Sequence, residues 1–199
     1  MTSLPAGRVR LEQLREEHAP DLFTAICTPD VWAYIPKVRP ADVSAMRAYI
    51  ASALEAQRLG TEIAVAMVDS ATGKAIGTSR FTDISPAHRQ LEIGWTMIAP
   101  SHQRTSANTE VKLMMLSFAF EHIRFASATG CVRVQLKCDH RNLRSQAAIQ
   151  RIGAQFEGRL RRHRILPDGF IRDTMFYSIL DSEWPGVKTK LMQMLAQPR

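Results

Sequence analysis

The sequence predicts an α+β chain built on one mixed sheet. Short alternating or wholly apolar runs bounded by turn residues recur along it, as strands do. Between them lie stretches with apolar residues three and four positions apart, the spacing of helices with one buried face. The two kinds follow the order strand, two helices, three strands, helix, strand, helix, strands.

Arg8 to Leu14 alternates around Val9 and Leu11 and reads as a first strand. Pro20 to Cys27 carries Leu22, Phe23 and Ile26 at helical spacing. Thr28 to Pro36 holds two prolines with Trp32 and Tyr34, and reads as a loop. Those two aromatics either line a pocket or cover the core edge. Ala41 to Leu59 is a helix with Val43, Met46, Ile50, Ala53 and Leu54 on one face, stopped by Gly60. Thr61 to Val68 and Lys74 to Phe81 are strands joined by the turn Asp69 to Gly73, and Leu91 to Ile98 is a further, buried strand ended by Pro100. A helix runs from Asn108 to about Ala126 along Val111, Met114, Met115 and Phe118, with Gly130 at its exit. Cys131 to Lys137 alternates as a strand, Asn142 to Ile152 is a short helix closed by Gly153, and Phe156 to Ile165 and Phe170 to Leu180 form a hairpin. Pro185 to Leu195 is a terminal helix.

At 199 residues the chain amounts to one domain, with 45% hydrophobic and 23% charged residues, an ordinary soluble balance. Its apolar runs fall short of the roughly 18 residues a membrane helix needs, and MTSLPAGRVR has no apolar leader core. No membrane association is expected. Cys27, Cys131 and Cys138 are an odd number without metal-ligand spacing, which points to free thiols in a reducing cytoplasm and to no metal. The net charge of +7 favours an anionic ligand. The basic run Arg159 to Arg164 lacks interleaved aromatics, which counts against a nucleic-acid reader.

The stretch from Leu91 to Phe120 organises the rest. A strand empties through the polar loop Ser101 to Asn108 into a helix, so the helix's first backbone N–H groups and the positive end of its dipole face that loop. Asn108 or Thr109 suits the N-cap, and Glu110 places a carboxylate in the first turn. The ligand for such a loop is a phosphate or pyrophosphate, and the bland alternative is an ordinary strand–helix connection met by water.

The element order resembles the GNAT superfamily of acyl-CoA-dependent N-acetyltransferases, in particular the branch containing bacterial ribosomal-protein N-terminal acetyltransferases. The likeness is sharpest in EIGW at Glu92 to Trp95, NTE-x-K at Asn108 to Lys112, N-x-R-S at Asn142 to Ser145, AI-x-RIGA at Ala148 to Ala154, EG at Glu157 and Gly158, and G-x-x-RD at Gly169 to Asp173. It implies a single domain over residues 1–199, with a central mixed, mostly antiparallel sheet flanked by helices, working as a monomer or homodimer.

The resemblance also implies acetyl-CoA as cosubstrate. The family's pyrophosphate loop, Q/R-x-x-G-x-G/A, falls on Gln103, Arg104, Thr105, Ser106, Ala107 and Asn108, with Ser106 and Asn108 in the glycine places. The thioester arm would pair with backbone groups near Met97 and Ile98, the N–H near Met97 would meet the oxyanion, and Asn142 would touch the pantetheine. The place of the family's acid tyrosine is Ile149, and Ser145 matches the serine proposed instead in the ribosomal-protein branch. Glu92 is the first candidate for the base, ahead of His163 and Asp173. Trp32 and Tyr34 are candidates for the acceptor pocket. The activity implied is acetyl transfer to a primary amine, either a protein or peptide N-terminus or a small molecule. The alternative is a CoA-binding module that kept the fold and lost the chemistry.

Overall fold

The computed structural model describes residues 7–126 and 128–197. In chain order the elements are β1 (Val9–Gln13), α1 (Ala19–Ile26), α2 (Pro29–Trp32), α3 (Val43–Arg58), β2 (Ile63–Asp69), β3 (Ala75–Ser85), β4 (Gln90–Ile98), α4 (Ala107–Ser117), β5 (Arg124–Phe125), β6 (Ala128–Thr129), β7 (Arg133–Asp139), α5 (Leu143–Arg151), β8 (Gln155–Ile165), β9 (Ile171–Leu180) and α6 (Trp184–Ala196). Seven strands form one sheet in the order β1-β2-β3-β4-β7-β9-β8, and β5 and β6 form a separate ribbon. Among the described residues of the large sheet only β4 and β7 run parallel, so it is mixed and mostly antiparallel, as the sequence predicts.

Both faces of the sheet are covered, and β2 shows how. Its alternate residues Val65 and Met67 enter a core with Val111 and Met115 of α4 and Leu191 of α6. Ala64, Ala66 and Val68 point the other way, into a core with Leu22 and Ile26 of α1 and Met46 and Ile50 of α3. The short alanine side chains let α1 and α3 lie close. The α3 helix starts at a capped aspartate: Asp42 Oδ1 accepts the Ala45 N–H at 2.7 Å.

The central helix departs from its expected bounds at both ends. It begins at Ala107, with Ser106 rather than Asn108 or Thr109 at the cap position. Ser106 turns its hydroxyl inward to Glu110 Oε1 at 2.7 Å, and Glu110 Oε2 accepts the Val9 N–H at 3.0 Å, tying the helix to β1. Its α-helical part stops at Ser117, not near Ala126, and passes into one π-helical turn at Phe118–His122. That wide turn is anchored on α6, where Phe120 stacks on Trp184 and Glu121 accepts from Trp184 Nε1 at 2.6 Å. The β5–β6 ribbon then takes residues that periodicity assigned to the helix. The stretch read as a loop before α3 also contains one helical turn, α2.

The site is made by the way β4 and β7 part. They pair only from Gln90 to Glu92, against Arg133 to Gln135. Beyond that β4 bulges against β3: the register skips between Arg80↔Gly94 and Thr78↔Met97, and Trp95 takes a φ of 54°. Gly77 permits the pairing beyond the bulge, since a Cβ there would sit 2.4 Å from Met97 O. Among the described residues no helix is long and apolar enough to cross a membrane.

Candidate active site

The gap between β4 and β7 is a cavity of about 750 Å³. Of the residues singled out by sequence, Glu92, Met97, Ile98, Gln103, Arg104, Thr105, Asn108, Asn142, Ser145 and Tyr34 line it. Ser106, Ala107 and Trp32 do not. Ser106 faces Glu110, and Ala107 is packed in the core. Trp32 is 5% exposed and meets Tyr49 edge to face, so its large ring belongs to the core under α3 rather than to the pocket wall.

One end of the cavity is the loop before α4. Gln103 is fixed at both ends of its amide: Nε2 donates to Ile98 O at 3.0 Å, and Oε1 accepts from Arg144 at 2.8 Å. Arg104 occupies the left-handed region with a φ of 62°, which costs a non-glycine residue about 1 kcal/mol or more. Thr105 donates to His102 O and accepts the Ala107 N–H at 3.2 Å, so one helix-opening amide is already engaged by the protein itself. Three guanidinium groups gather here: Arg104, Arg144 and Arg151 all line this cavity, and Arg151 reaches Thr109 Oγ1 at 3.1 Å. The helix dipole and these charges together favour a polyanion.

The middle of the cavity holds the titratable groups. Glu92 is 2% exposed, 2.6 Å from Lys137 Nζ and 3.0 Å from Gln135 Nε2. Burial raises its pKa above the ordinary carboxylate value, and Lys137 only partly offsets this. Gly94 makes the room, since a Cβ there would lie 2.6 Å from Glu92 Oε1. Facing it, Lys112 of α4 is buried and donates to Thr96 Oγ1 at 2.8 Å. Burial lowers the Lys112 ammonium to about 7, with the Glu92 charge pulling the other way.

On the opposite wall, Asn142 caps α5, its Oδ1 accepting the Ser145 N–H at 3.0 Å. Burial pushes the Cys138 thiol up to about 11, with the nearby Ser145 side chain pulling the other way, so Cys138 is no ready thiolate. Ile149 also lines the cavity, so no phenol stands at that place. His163 and Asp173 sit away from the cavity: His163 Nδ1 lies 3.0 Å from Thr174 Oγ1, and Asp173 is held by Arg159 and by the Arg162 N–H. Sequence reasoning missed Lys112, Lys137, Arg144 and Arg151 as wall residues. The N-x-R-S, NTE-x-K and AI-x-RIGA patterns contain Arg144, Lys112 and Arg151 and could have found those three.

A mixed sheet that splits between two parallel strands, with a cation-lined helix N-terminus at one end of the split, offers an extended site for a ligand with a polyanionic end. The chain belongs to the acetyltransferase (GNAT) domain family, whose model matches residues 8–155. It is 28% identical over 116 residues to a Bacillus subtilis (strain 168) protein named as a candidate ribosomal N-acetyltransferase, YdaF, a match covering 58% of this chain and 59% of that protein. A solved T. thermophilus protein described as a candidate acetyltransferase shares 34% identity over 98% of this chain and 100% of its own, with a TM-score of 0.83. Mycobacterium smegmatis RimJ, solved in complex with CoA-disulfide, shares the fold at 20% identity and a TM-score of 0.80, over 96% of this chain and 91% of its own.

Proposed function

We propose that the protein transfers the acetyl group of acetyl-CoA to a primary amine, a protein or peptide N-terminus or a small-molecule amine, by direct attack in a ternary complex. The carrying observation is the parting of β4 from β7, which leaves the end of β4 beside a cavity flanked by Glu92 on one wall and Ser145 on the other. The arginine-lined loop end suits the diphosphate of CoA. The thioester then lies along Met97 and Ile98, and a backbone N–H near Met97 meets the developing oxyanion.

In the step itself the amine nitrogen bonds to the thioester carbonyl carbon and the C–S bond breaks. Glu92 takes the proton lost by nitrogen, directly or through one water, and its raised pKa suits it to that work. Ser145 donates toward the departing sulfur and regains its proton from solvent, to which Glu92 gives up the one it took. The products are the amide and free CoA thiol, with no net change in protons. Three free cysteines fit a reducing cytoplasm as the working compartment.

A CoA-binding module without turnover is the second reading. It is favoured by the ion pair that already occupies Glu92 and by Ser106 and Asn108 in the loop's glycine places. Thiol release followed with DTNB across a panel of amines and peptides separates the two. Release that depends on the acceptor is expected, whereas acetyl-CoA binding with no release for any acceptor would leave only the module.

A further inference from the structure

Beyond the transfer cavity lies a second one of about 620 Å³, reached past Pro36, Glu62, Trp95 and Arg164, which line both. Arg80 of β3 lines this second cavity. It is 5% exposed, and its Nη1 donates to Glu62 Oε2 at 3.0 Å. Its Nε and Nη2 are buried and have no hydrogen-bond partner among the described residues. Those two donors form one edge of the guanidinium, with parallel N–H bonds at the spacing of a carboxylate's two oxygens. Buried donors are nearly always matched, and leaving them bare costs free energy.

The surroundings hold this edge in place. The guanidinium carbon lies over the Tyr49 ring at 4.9 Å and over the Trp95 ring at 5.0 Å, so aromatic contact orients the group without using its donors. The Tyr49 hydroxyl is also buried without a partner among the described residues. Burial raises its pKa, against the pull of the neighbouring Arg80 guanidinium, which lies near the hydroxyl but outside hydrogen-bond geometry, so it stays a neutral donor. The positive φ of Trp95 at the β4 bulge carries its ring to the boundary of both cavities. Glu62 cancels one charge, and Lys37 and Arg164 on the wall leave the cavity net positive.

We infer that this second cavity anchors a carboxylate on the acceptor: Arg80 grips it through the Nε/Nη2 edge, the Tyr49 hydroxyl adds a donor, and the acceptor's amine is thereby set into the transfer cavity. This rests on the transferase reading for what happens to the amine, but not for the binding itself. The substrate class is an amine that bears a carboxylate a short distance away, supplied either by a small amino acid or by an acidic residue near a peptide N-terminus.

The test uses acid–amide pairs that differ only in that charge: β-alanine and 4-aminobutyrate against their amides, and short peptides with aspartate or asparagine at the second position. Binding is read by calorimetry and turnover by thiol release, on the full chain and on Arg80→Lys, which keeps the charge beside Glu62 but has no fork. An acid preference of about 10- to 100-fold is expected in the parent, falling to within about threefold of unity in the variant. The small acids and the peptides report separately which source is used. Equal binding of acid and amide by the parent, or a preference that survives Arg80→Lys unchanged, overturns the inference. The parent's ratio decides even if the variant fails to fold. Absence of turnover with every amine would remove the transferase reading, while the calorimetric ratio would still decide this one.

Discussion

The two ends of the cleft are built on opposite plans. The loop end is built mainly on six consecutive residues, Gln103 to Asn108, with Arg144 and Arg151 of α5 laid against them, and its polar side chains largely satisfy one another or their neighbours: Gln103 with Ile98 O and Arg144, Thr105 with His102 O and the Ala107 N–H, Ser106 with Glu110. The acceptor end is assembled from α3, β3, β4 and β8, and among the described residues it buries a guanidinium edge and a phenol with nothing to bind. A site made from one stretch of chain can be shaped locally before any ligand arrives. A site made from four elements is held by tertiary packing, and here its unmatched donors await a partner that the substrate must bring. Between the two ends sit Glu92 and Lys112, buried charges whose behaviour belongs to neither plan.

The sharpest way to break this division is at its middle. Glu92→Gln keeps the shape and the contact with Lys137 but cannot take a proton, and kcat is expected to fall about 10²- to 10⁴-fold with acetyl-CoA affinity unchanged. The sign of the pH effect follows from burial. Glu92 must be ionised to act, and its pKa is raised, so kcat/KM should climb with pH along a limb lying above the ordinary carboxylate range, and the variant should lack that limb. An unaltered rate and profile would make Glu92 purely a partner for Lys137. Next in size is Ser145→Ala, expected to slow turnover about tenfold while leaving CoA binding within about twofold. Equal activity would return Ser145 to a simple place in the first turn of α5.

The same contrast explains what could be read from the sequence. Alternation and helical spacing locate the strands of the sheet because β2 and its neighbours sort their side chains between two cores. The contiguous loop and Glu92 are visible as motifs. Arg80 is not: in Gly77 to Phe81 it follows Thr78 and Ser79 as one more polar residue of a strand, and only the bulge that turns Trp95 shows what it faces. Trp32 fits wall or core on sequence alone, and its packing against Tyr49 puts it in the core. Periodicity carries α4 too far because Phe118 and Ala119 continue the helical spacing, while contacts with Trp184, far along the chain, open the turn. Each miss depends on a neighbour distant in sequence, which periodicity does not see.

The smallest effect expected is at the loop end, and there it has two parts of opposite sign. Arg104 holds a φ of 62°, the left-handed region that glycine adopts most easily. Arg104→Gly relieves that strain at the cost of greater freedom in the unfolded chain, so the net change in stability is a gain of up to about 1 kcal/mol, read by thermal or urea unfolding. It also removes one of three guanidinium groups from the loop end, and calorimetry should show acetyl-CoA affinity falling about three- to tenfold. A stability gain without loss of affinity would mean that the Arg104 charge does not meet the phosphates and that Arg144 and Arg151 hold them. A loss of affinity without a stability gain would mean that the backbone bend is set by the fold around it, and that the arginine is kept there for its charge.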